Sequence, residues 1–166
     1  MKLHFFAILF AAAHLVSCSS TLRDDEKAKG FELGTLPKSR WQSAATGKEG
    51  FHFFQNPSSG SMIGVDSVCK RYQESSLETL SKSLTRPIDN TVVTEQKKIE
   101  LDGREALETR AMGTVDGVDV EALFMIFRKN NCLFDFSLIS RNRVKTEDEN
   151  DFRKFVESFR FEGSVP

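Results

Sequence analysis

The stretch LDGREALETRAMGTVDGVDVEALFMIFRKNNC, residues 101–132, decides the fold because it repeats one turn chemistry at even intervals. Asp102-Gly103, Asp116-Gly117 and Asn130-Asn131 separate long segments that are rich in apolar and β-branched residues. Asp-Gly is favoured where both central residues of a tight hairpin need positive φ, and Asn-Asn tolerates that conformation. The pattern predicts a four-stranded antiparallel meander with strands at residues 91–101, 104–115, 118–129 and 132–141.

One strand of this meander indicates how the sheet is covered. Residues 122–127 read ALFMIF, without a polar residue. Successive side chains of a strand point to opposite faces, so this strand places apolar groups on both. A half-solvated strand would alternate apolar and polar residues, and this one therefore predicts a central strand with a layer of structure on each face.

Two amphipathic helices can supply those layers. Residues 75–78 match a capping box, and leucines recur at helical spacing as far as residue 84, before Pro87. Residues 146–149 match a second capping box, and the apolar residues after it recur at i, i+3, i+4 and i+7: Phe152, Phe155, Val156 and Phe159. We expect an α+β domain in three layers, α/β/α, with helices packed on both faces of an antiparallel sheet.

Short strands are predicted before the first helix, at residues 41–45, 50–55 and 61–68. Early strands, a helix, a long meander and a closing helix with a Phe-rich end at residues 152–159 resemble the Mog1/PsbP-like fold, over about residues 40–162. That fold includes photosystem accessory proteins and small bacterial envelope lipoproteins, most of which bind partners or assist assembly. The resemblance implies a partner-binding function, although a fold alone does not determine function.

The first seventeen residues are predicted to be a signal peptide. About twelve apolar residues follow Lys2, too few to span the roughly 30 Å hydrocarbon core of a membrane. Leu15-Val16-Ser17-Cys18 resembles the bacterial lipobox, which implies cleavage before Cys18 and attachment of lipid to its thiol and amine. Several acyl chains anchor a protein far more durably than one. A plain secretory signal followed by a chance cysteine and a simple membrane-anchor helix are the alternatives.

The predicted lipoprotein has three parts: a signal peptide at residues 1–17, an acylated Cys18 with a flexible tether at residues 18–38, and one α+β domain at residues 39–166. Residues 19–38 are polar, with charges of both signs and no sustained apolar period. Docking of Phe31, Leu33 and Leu36 onto the domain is the alternative. By resemblance to enterobacterial sorting, Ser19 favours the periplasmic face of the outer membrane over the inner membrane.

Cys69 and Cys132 are the most informative pair of side chains. A lipoprotein leaves the cytoplasm, so its domain meets an oxidising space. Cys69 follows an early predicted strand and Cys132 begins the last meander strand, so both could lie near one rim of the sheet. A disulfide is the favoured interpretation, two separate buried thiols are the alternative, and a reactive or metal-binding pair is the third.

The remaining composition offers little for catalysis. The chain has 23 Lys+Arg against 24 Asp+Glu, which provides no basic field for nucleic acid. His52 is the only histidine outside the signal peptide, so neither a structural zinc site nor a Ser-His-Asp triad is readily built, and we expect His52 at the surface or rim. We predict no metal and no cofactor. The acidic residues 147–151 are interpreted as favourable charge at a helix N-terminus, and the basic Arg141, Arg143 and Lys145 as a solvated loop, with acidic lipid heads as the alternative.

The function expected from the sequence is that of a membrane-anchored, non-catalytic envelope lipoprotein. It would bind another envelope protein, or aid assembly or transport, as an accessory module. The first alternative is a lipoprotein that binds a small apolar or lipid ligand, because twelve phenylalanines remain after removal of the signal peptide. The second alternative is an enzyme that uses carboxylates as acid and base, at positions that spacing does not reveal.

Overall fold

The computed structural model describes residues 30–44, 51–69 and 75–161. Within these ranges the chain forms nine strands and two helices. In chain order they are β1 (Phe31–Glu32), β2 (Gln42–Ala44), β3 (His52–Gln55), β4 (Met62–Cys69), α1 (Leu77–Leu84), β5 (Asp89–Leu101), β6 (Arg104–Val115), β7 (Val118–Lys129), β8 (Cys132–Arg141), α2 (Thr146–Glu157) and β9 (Arg160–Phe161). Neither helix in the described ranges has the length and apolar character needed to cross a membrane.

Seven strands form one antiparallel sheet in the order β2-β3-β4-β8-β7-β6-β5, and β1 pairs with β9 separately. The predicted meander is confirmed as β5 to β8. Its last three strands have the predicted bounds, and the first begins two residues earlier than predicted, at Asp89. All six central turn residues have φ between 47° and 75°, which is the conformation that tight hairpins require: Asp102, Gly103, Asp116, Gly117, Asn130 and Asn131.

The meander buries side chains on both faces, which we call the α2 face and the α1 face. Leu123, Met125 and Phe127 of β7 belong to the cluster on the α2 face, whereas Phe124 and Ile126 point to the α1 face. All five are buried. Helices on both faces of an antiparallel sheet, in an α+β fold, are therefore confirmed.

Aromatic rings fill the space between the sheet and α2. Six phenylalanines there are less than 2% exposed: Phe127, Phe134, Phe136, Phe152, Phe155 and Phe159. The rings of Phe134 and Phe159 meet edge to face at a centroid distance of 4.9 Å, and those of Phe127 and Phe134 stack at 5.3 Å. These are the arrangements that aromatic pairs prefer. Since truncation of such a ring costs about 3–5 kcal/mol, this layer holds α2 firmly on the sheet.

Both helices begin differently from the predicted capping boxes. The N-cap of α1 is Ser76, whose hydroxyl accepts a hydrogen bond from the backbone N–H of Thr79. The N-cap of α2 is Lys145, without a side-chain cap, so the predicted box at residues 146–149 is wrong. Its expected acceptor Thr146 lies inside the helix, and the carboxylate of Glu149 bonds to arginines instead.

Residues 30–38 differ from the predicted tether, because they pack on the domain. Phe31 lies in β1, and its ring is 5.7 Å from that of Phe134 and 5.9 Å from that of Phe159. Leu36 is buried, and Leu33 packs against the same cluster. The alternative, docking, therefore holds for this part of the segment, because the end of the aromatic layer offers an apolar surface that the sequence alone does not reveal.

Candidate functional site

The two domain cysteines meet across neighbouring strands. Cys69 ends β4 and Cys132 begins β8, and the register pairs them directly. The structure joins their sulfurs in a disulfide with an S–S distance of 2.04 Å. Both residues are buried, and the bond joins the end of β4 to the start of β8, the last strand of the meander. Cys18, the predicted lipidation site, and the rest of residues 1–29 lie outside the described residues.

His52 lies at the rim of the sheet, where it was predicted. Its side chain is exposed, and its ring meets that of Phe31 edge to face at 5.9 Å. Across residues 30–44, 51–69 and 75–161, no group of three or more His, Cys, Asp or Glu side chains is placed to hold a metal ion. Ser61 is fully buried, and its hydroxyl donates a hydrogen bond to Asp148 Oδ2 at 2.7 Å.

A buried carboxylate on the α2 face is held by two cations. Glu108 is 2% exposed, and Arg153 of α2 donates to both of its oxygens, at 2.6 and 2.9 Å. Lys97 of β5 approaches from the other side, at 3.1 Å. Burial raises the pKa of Glu108, but the hydrogen bonds from Arg153 and Lys97 outweigh burial and hold it below its ordinary value. The group therefore stays ionised, which is opposite to what a general acid requires.

A second ion-pair cluster continues this network towards the N-terminus of α2. Arg110 lies 3.0 Å from Glu121 and 2.6 Å from Glu149, and Glu149 also accepts hydrogen bonds from Arg153. The other oxygen of Glu121 accepts the backbone N–H of Val144 at 2.8 Å, which secures the loop before α2. Burial raises the pKa of Glu149, but its bonds to the two arginines lower it overall. These charges position α2 on the sheet.

Two further carboxylates of α2 are buried on its opposite flank. Asp148 accepts hydrogen bonds from Asn56 at 2.8 Å and from Ser61. Asp151 accepts the indole N–H of Trp41 at 2.9 Å and is paired with Arg40. The sequence assigned these acids only to the helix N-terminus, and their tertiary contacts were missed. The partners lie about 90 to 110 residues away in the chain, so no local spacing reveals them.

Several grooves open on the described surface, and three of them have lining residues that bear on function. One of about 380 Å³ lies beside the start of α1, and its lining includes Glu78, Lys98 and Glu105. One of about 450 Å³ lies beside the N-terminal segment, where Leu36, Trp41 and Phe54 contribute apolar lining. The third, of about 430 Å³, lies at the end of the sheet near the β6–β7 turn, and we call it the hairpin groove. It is lined by Asn90, Val92, Met112, Gly113, Thr114, Asp119, Val120, Asn142 and Arg143.

The hairpin groove lies beyond the part of the α2 face that α2 itself covers. The first turn of α2 reaches Arg110 through Glu149, and Met112 and Thr114 continue the same row of β6. Val92 lies opposite Met112 and is 60% exposed. The side chain of Arg143, on the rim of the groove, is 74% exposed. The groove thus combines apolar side chains with charged and amide groups.

No protein-family model and no curated protein match this chain. Solved structures do resemble it. A Bacteroides thetaiotaomicron protein aligns with a TM-score of 0.57 and 13% identity over 81% of this chain, which spans only 46% of that protein. LpqN of Mycobacterium tuberculosis, a protein involved in cell envelope biogenesis, aligns with a TM-score of 0.52 and 9% identity over 82% of this chain and 86% of its own length.

Cyanobacterial PsbP from Synechocystis sp. PCC 6803 aligns with a TM-score of 0.49 and 12% identity, over 89% of this chain and 98% of its own. At these identities, the likeness to the Bacteroides protein and to LpqN concerns the fold alone.

Proposed function

We propose that this protein is a lipid-anchored, non-catalytic accessory protein of the bacterial cell envelope, which binds another envelope protein through the hairpin groove. The observation that carries the proposal is the composition of that groove: the exposed Val92 of β5 and the half-buried Met112 of β6 lie beside Asp119 and Arg143, at an end of the sheet that α2 does not cover. Such a surface suits a protein partner better than a small polar substrate.

The buried carboxylates support the non-catalytic part of the proposal. Glu108, Glu121, Asp148 and Asp151 each accept hydrogen bonds or ion pairs that fix α2 or the segments beside it. An acid or base that must exchange protons with a substrate needs access to it. These four are buried under α2 or beside its first turns, where they serve the fold.

The filled interior argues against the apolar-ligand alternative. A ligand between sheet and helix would occupy the space that the six buried phenylalanines fill. The groove beside Leu36, Trp41 and Phe54 is an apolar opening on the described surface, but Lys38 and Ser43 share its lining.

The proposed location is the periplasmic face of the outer membrane, reached through lipid on Cys18. The lipobox-like Leu15-Val16-Ser17-Cys18 and the following Ser19 support it. Likeness in fold to LpqN, itself involved in envelope biogenesis, and the resemblance to the Mog1/PsbP-like fold agree with an envelope role. Labelled palmitate should be incorporated into the wild type and a Ser20→Ala control but not into Cys18→Ser; equal labelling of all three would contradict the anchor.

A photo-crosslinking experiment tests the partner. A photoreactive amino acid at Arg143, on the rim of the hairpin groove, should give a discrete crosslinked species in living cells. The same group at Lys154, exposed on α2, is the matched control and should not give that species. Met112→Glu, on the floor of the groove, should abolish the product without loss of the folded protein. Identical products from both positions, or none from Arg143, would refute the proposed binding site.

A further inference from the structure

In the described part of the chain, the strand β5 leaves a long edge of the sheet open. It has 13 residues and pairs only with β6 among the described strands. Val92 and Val93, at 60% and 50% exposure, lie on opposite faces of it. An edge strand presents unpaired backbone N–H and C=O groups, and proteins blunt such edges with charges and bulges or use them for pairing.

The hairpin between β5 and β6 determines which backbone groups point outward. Leu101 and Arg104 flank a two-residue turn, so they exchange hydrogen bonds with each other. Hydrogen-bonded and non-hydrogen-bonded pairs alternate along an antiparallel ladder. The residues that bond to β6 are therefore 101, 99, 97 and 95. The backbone groups of Gln96, Lys98 and Glu100 face the open edge.

Few arrangements allow β5 to pair with a second copy of itself. In a continuous antiparallel sheet, opposed residues must share a face, so the two-fold axis must pass through a residue. An axis at Glu95, Lys97 or Lys98 would place like charges directly opposite each other, which is destabilising. An axis at Ile99 or later would leave only a few residues of overlap before β5 ends at Leu101. An axis at Gln96 avoids both faults.

We propose that two copies of this chain associate through antiparallel pairing of β5 strands around Gln96. In that register Glu95 lies opposite the partner's Lys97, and Lys97 opposite the partner's Glu95, so that the central charges are complementary. The bulge between Val93 and Glu95 shifts the next pairs by one residue. As a result, the exposed Val92 meets the partner's Ile99 on the α2 face, and the apolar contact adds to the backbone hydrogen bonds.

The dimer is compatible with the proposed lipid anchor. The pairing of the β5 strands does not depend on that anchor; only the joint insertion of two acylated ends in one membrane does. The two-fold axis is perpendicular to the sheet and leaves the α2 face of both copies on the same side. Since β1 packs on the α2 face in each copy, both N-terminal segments lie on that side. Two acylated ends can then enter one membrane.

Sedimentation of the full acylated chain in density-matched detergent micelles tests the pairing. Over about 1 to 100 μM protein, the wild type should change from monomer to dimer. Lys98→Pro removes an outward N–H without removing a bond to β6, and Lys98→Ala removes the same side chain but keeps the N–H. The proline variant should raise the Kd about tenfold or more relative to the alanine variant. Circular dichroism should show that both remain folded.

Charge reversal tests the register. Glu95→Lys faces the partner's Lys97 and should weaken the dimer, whereas Glu100→Lys makes the same charge change opposite a neutral residue and should not. Carbodiimide crosslinking of mixed ¹⁴N- and ¹⁵N-labelled chains should also yield Glu95–Lys97 links between chains of different isotope. Three results would overturn the proposal: a monomer at every protein concentration, an equal Kd for the proline and alanine variants, or crosslinks only between residues that carry the same isotope. The charged side chains of β5 would then serve to protect the edge from pairing. Because Val92 both lines the hairpin groove and contacts the second copy, the chain captured at Arg143 is identified by mass: a second copy supports the dimer alone, and a different envelope protein supports the partner site alone.

Discussion

Replacement of Arg153 by methionine should destabilise the domain by removing one arm of the buried network on the α2 face. Arg153 donates two hydrogen bonds to Glu108 and two to Glu149. Methionine preserves much of the packing of the arginine stem but none of its donors. Glu108 would remain buried with Lys97 as its nearest cation, and Glu149 would retain Arg110.

The magnitude follows from which groups lose their partners. A hydrogen bond to a charged group contributes about 1.5–3 kcal/mol, and removal of one partner of a buried pair costs about 3–5 kcal/mol. Arg153 is 29% exposed and Lys97 still reaches Glu108, so both figures must be reduced. We expect a loss of about 2–3 kcal/mol in the free energy of unfolding. This corresponds to a fall of about 1 M in the urea midpoint.

The assay is urea unfolding of the mature protein at pH 7 with the disulfide intact, followed by circular dichroism and by fluorescence of Trp41, the sole tryptophan. The control is Glu108→Met/Arg153→Met, because replacement of both partners of a buried ion pair by apolar groups is close to neutral. The double variant should recover most of the loss. If Arg153→Met costs less than about 1 kcal/mol, or the double variant is no more stable than the single one, the reasoning is refuted.

Three other outcomes are expected. The pKa values of Glu108 and Glu149 are lowered in the folded protein, so their contribution to the free energy of unfolding is fully present above the ordinary pKa of 4.5 and is lost as the pH falls through the folded pKa values. Glu108→Gln should therefore weaken the dependence of the free energy of unfolding on pH in the acid range. Reduction of the Cys69–Cys132 bond opens a loop with a sequence separation of 63 residues and should cost up to about 4 kcal/mol, with a Cys69→Ala/Cys132→Ala variant insensitive to reductant. Gly34→Ala would place a methyl group 2.5 Å from the carbonyl oxygen of Phe155, so limited proteolysis should cleave the N-terminal segment faster than in the wild type; unchanged cleavage would contradict the close packing of that segment.

The parts of the fold that sequence predicts are those with local causes. The bounds of β6, β7 and β8 follow from turn residues that tolerate positive φ, and the burial of both faces of β7 follows from an uninterrupted apolar run. The candidate site has no such local cause. The position of the hairpin groove depends on where the first turn of α2 lies on the sheet. That position is determined by tertiary contacts such as the ion pair between Glu149 and Arg110. The carboxylate of Asp148 likewise finds Asn56 only after the chain has folded.

The predicted boundary at residue 39 failed for a related reason, and the correction changes the geometry of the proposed anchor. Phe31 gains its contacts only when Phe134 and Phe159 lie side by side, and Trp41 finds Asp151 only when α2 is in place. The domain is therefore held from Gly30 onward, and the chain between Cys18 and Gly30 can span at most about 40 Å even when fully extended. That limit is a little over half of what a tether to residue 39 would allow. With the proposed lipid on Cys18, a domain on so short a connection would stay close to the membrane that holds the lipid. The N-terminal segment and the hairpin groove share the α2 face but lie at opposite ends of β7, because Phe31 contacts Phe134 beside the β7–β8 turn whereas the groove lies beside the β6–β7 turn. The proposed partner would therefore bind at the end of the domain away from the proposed anchor.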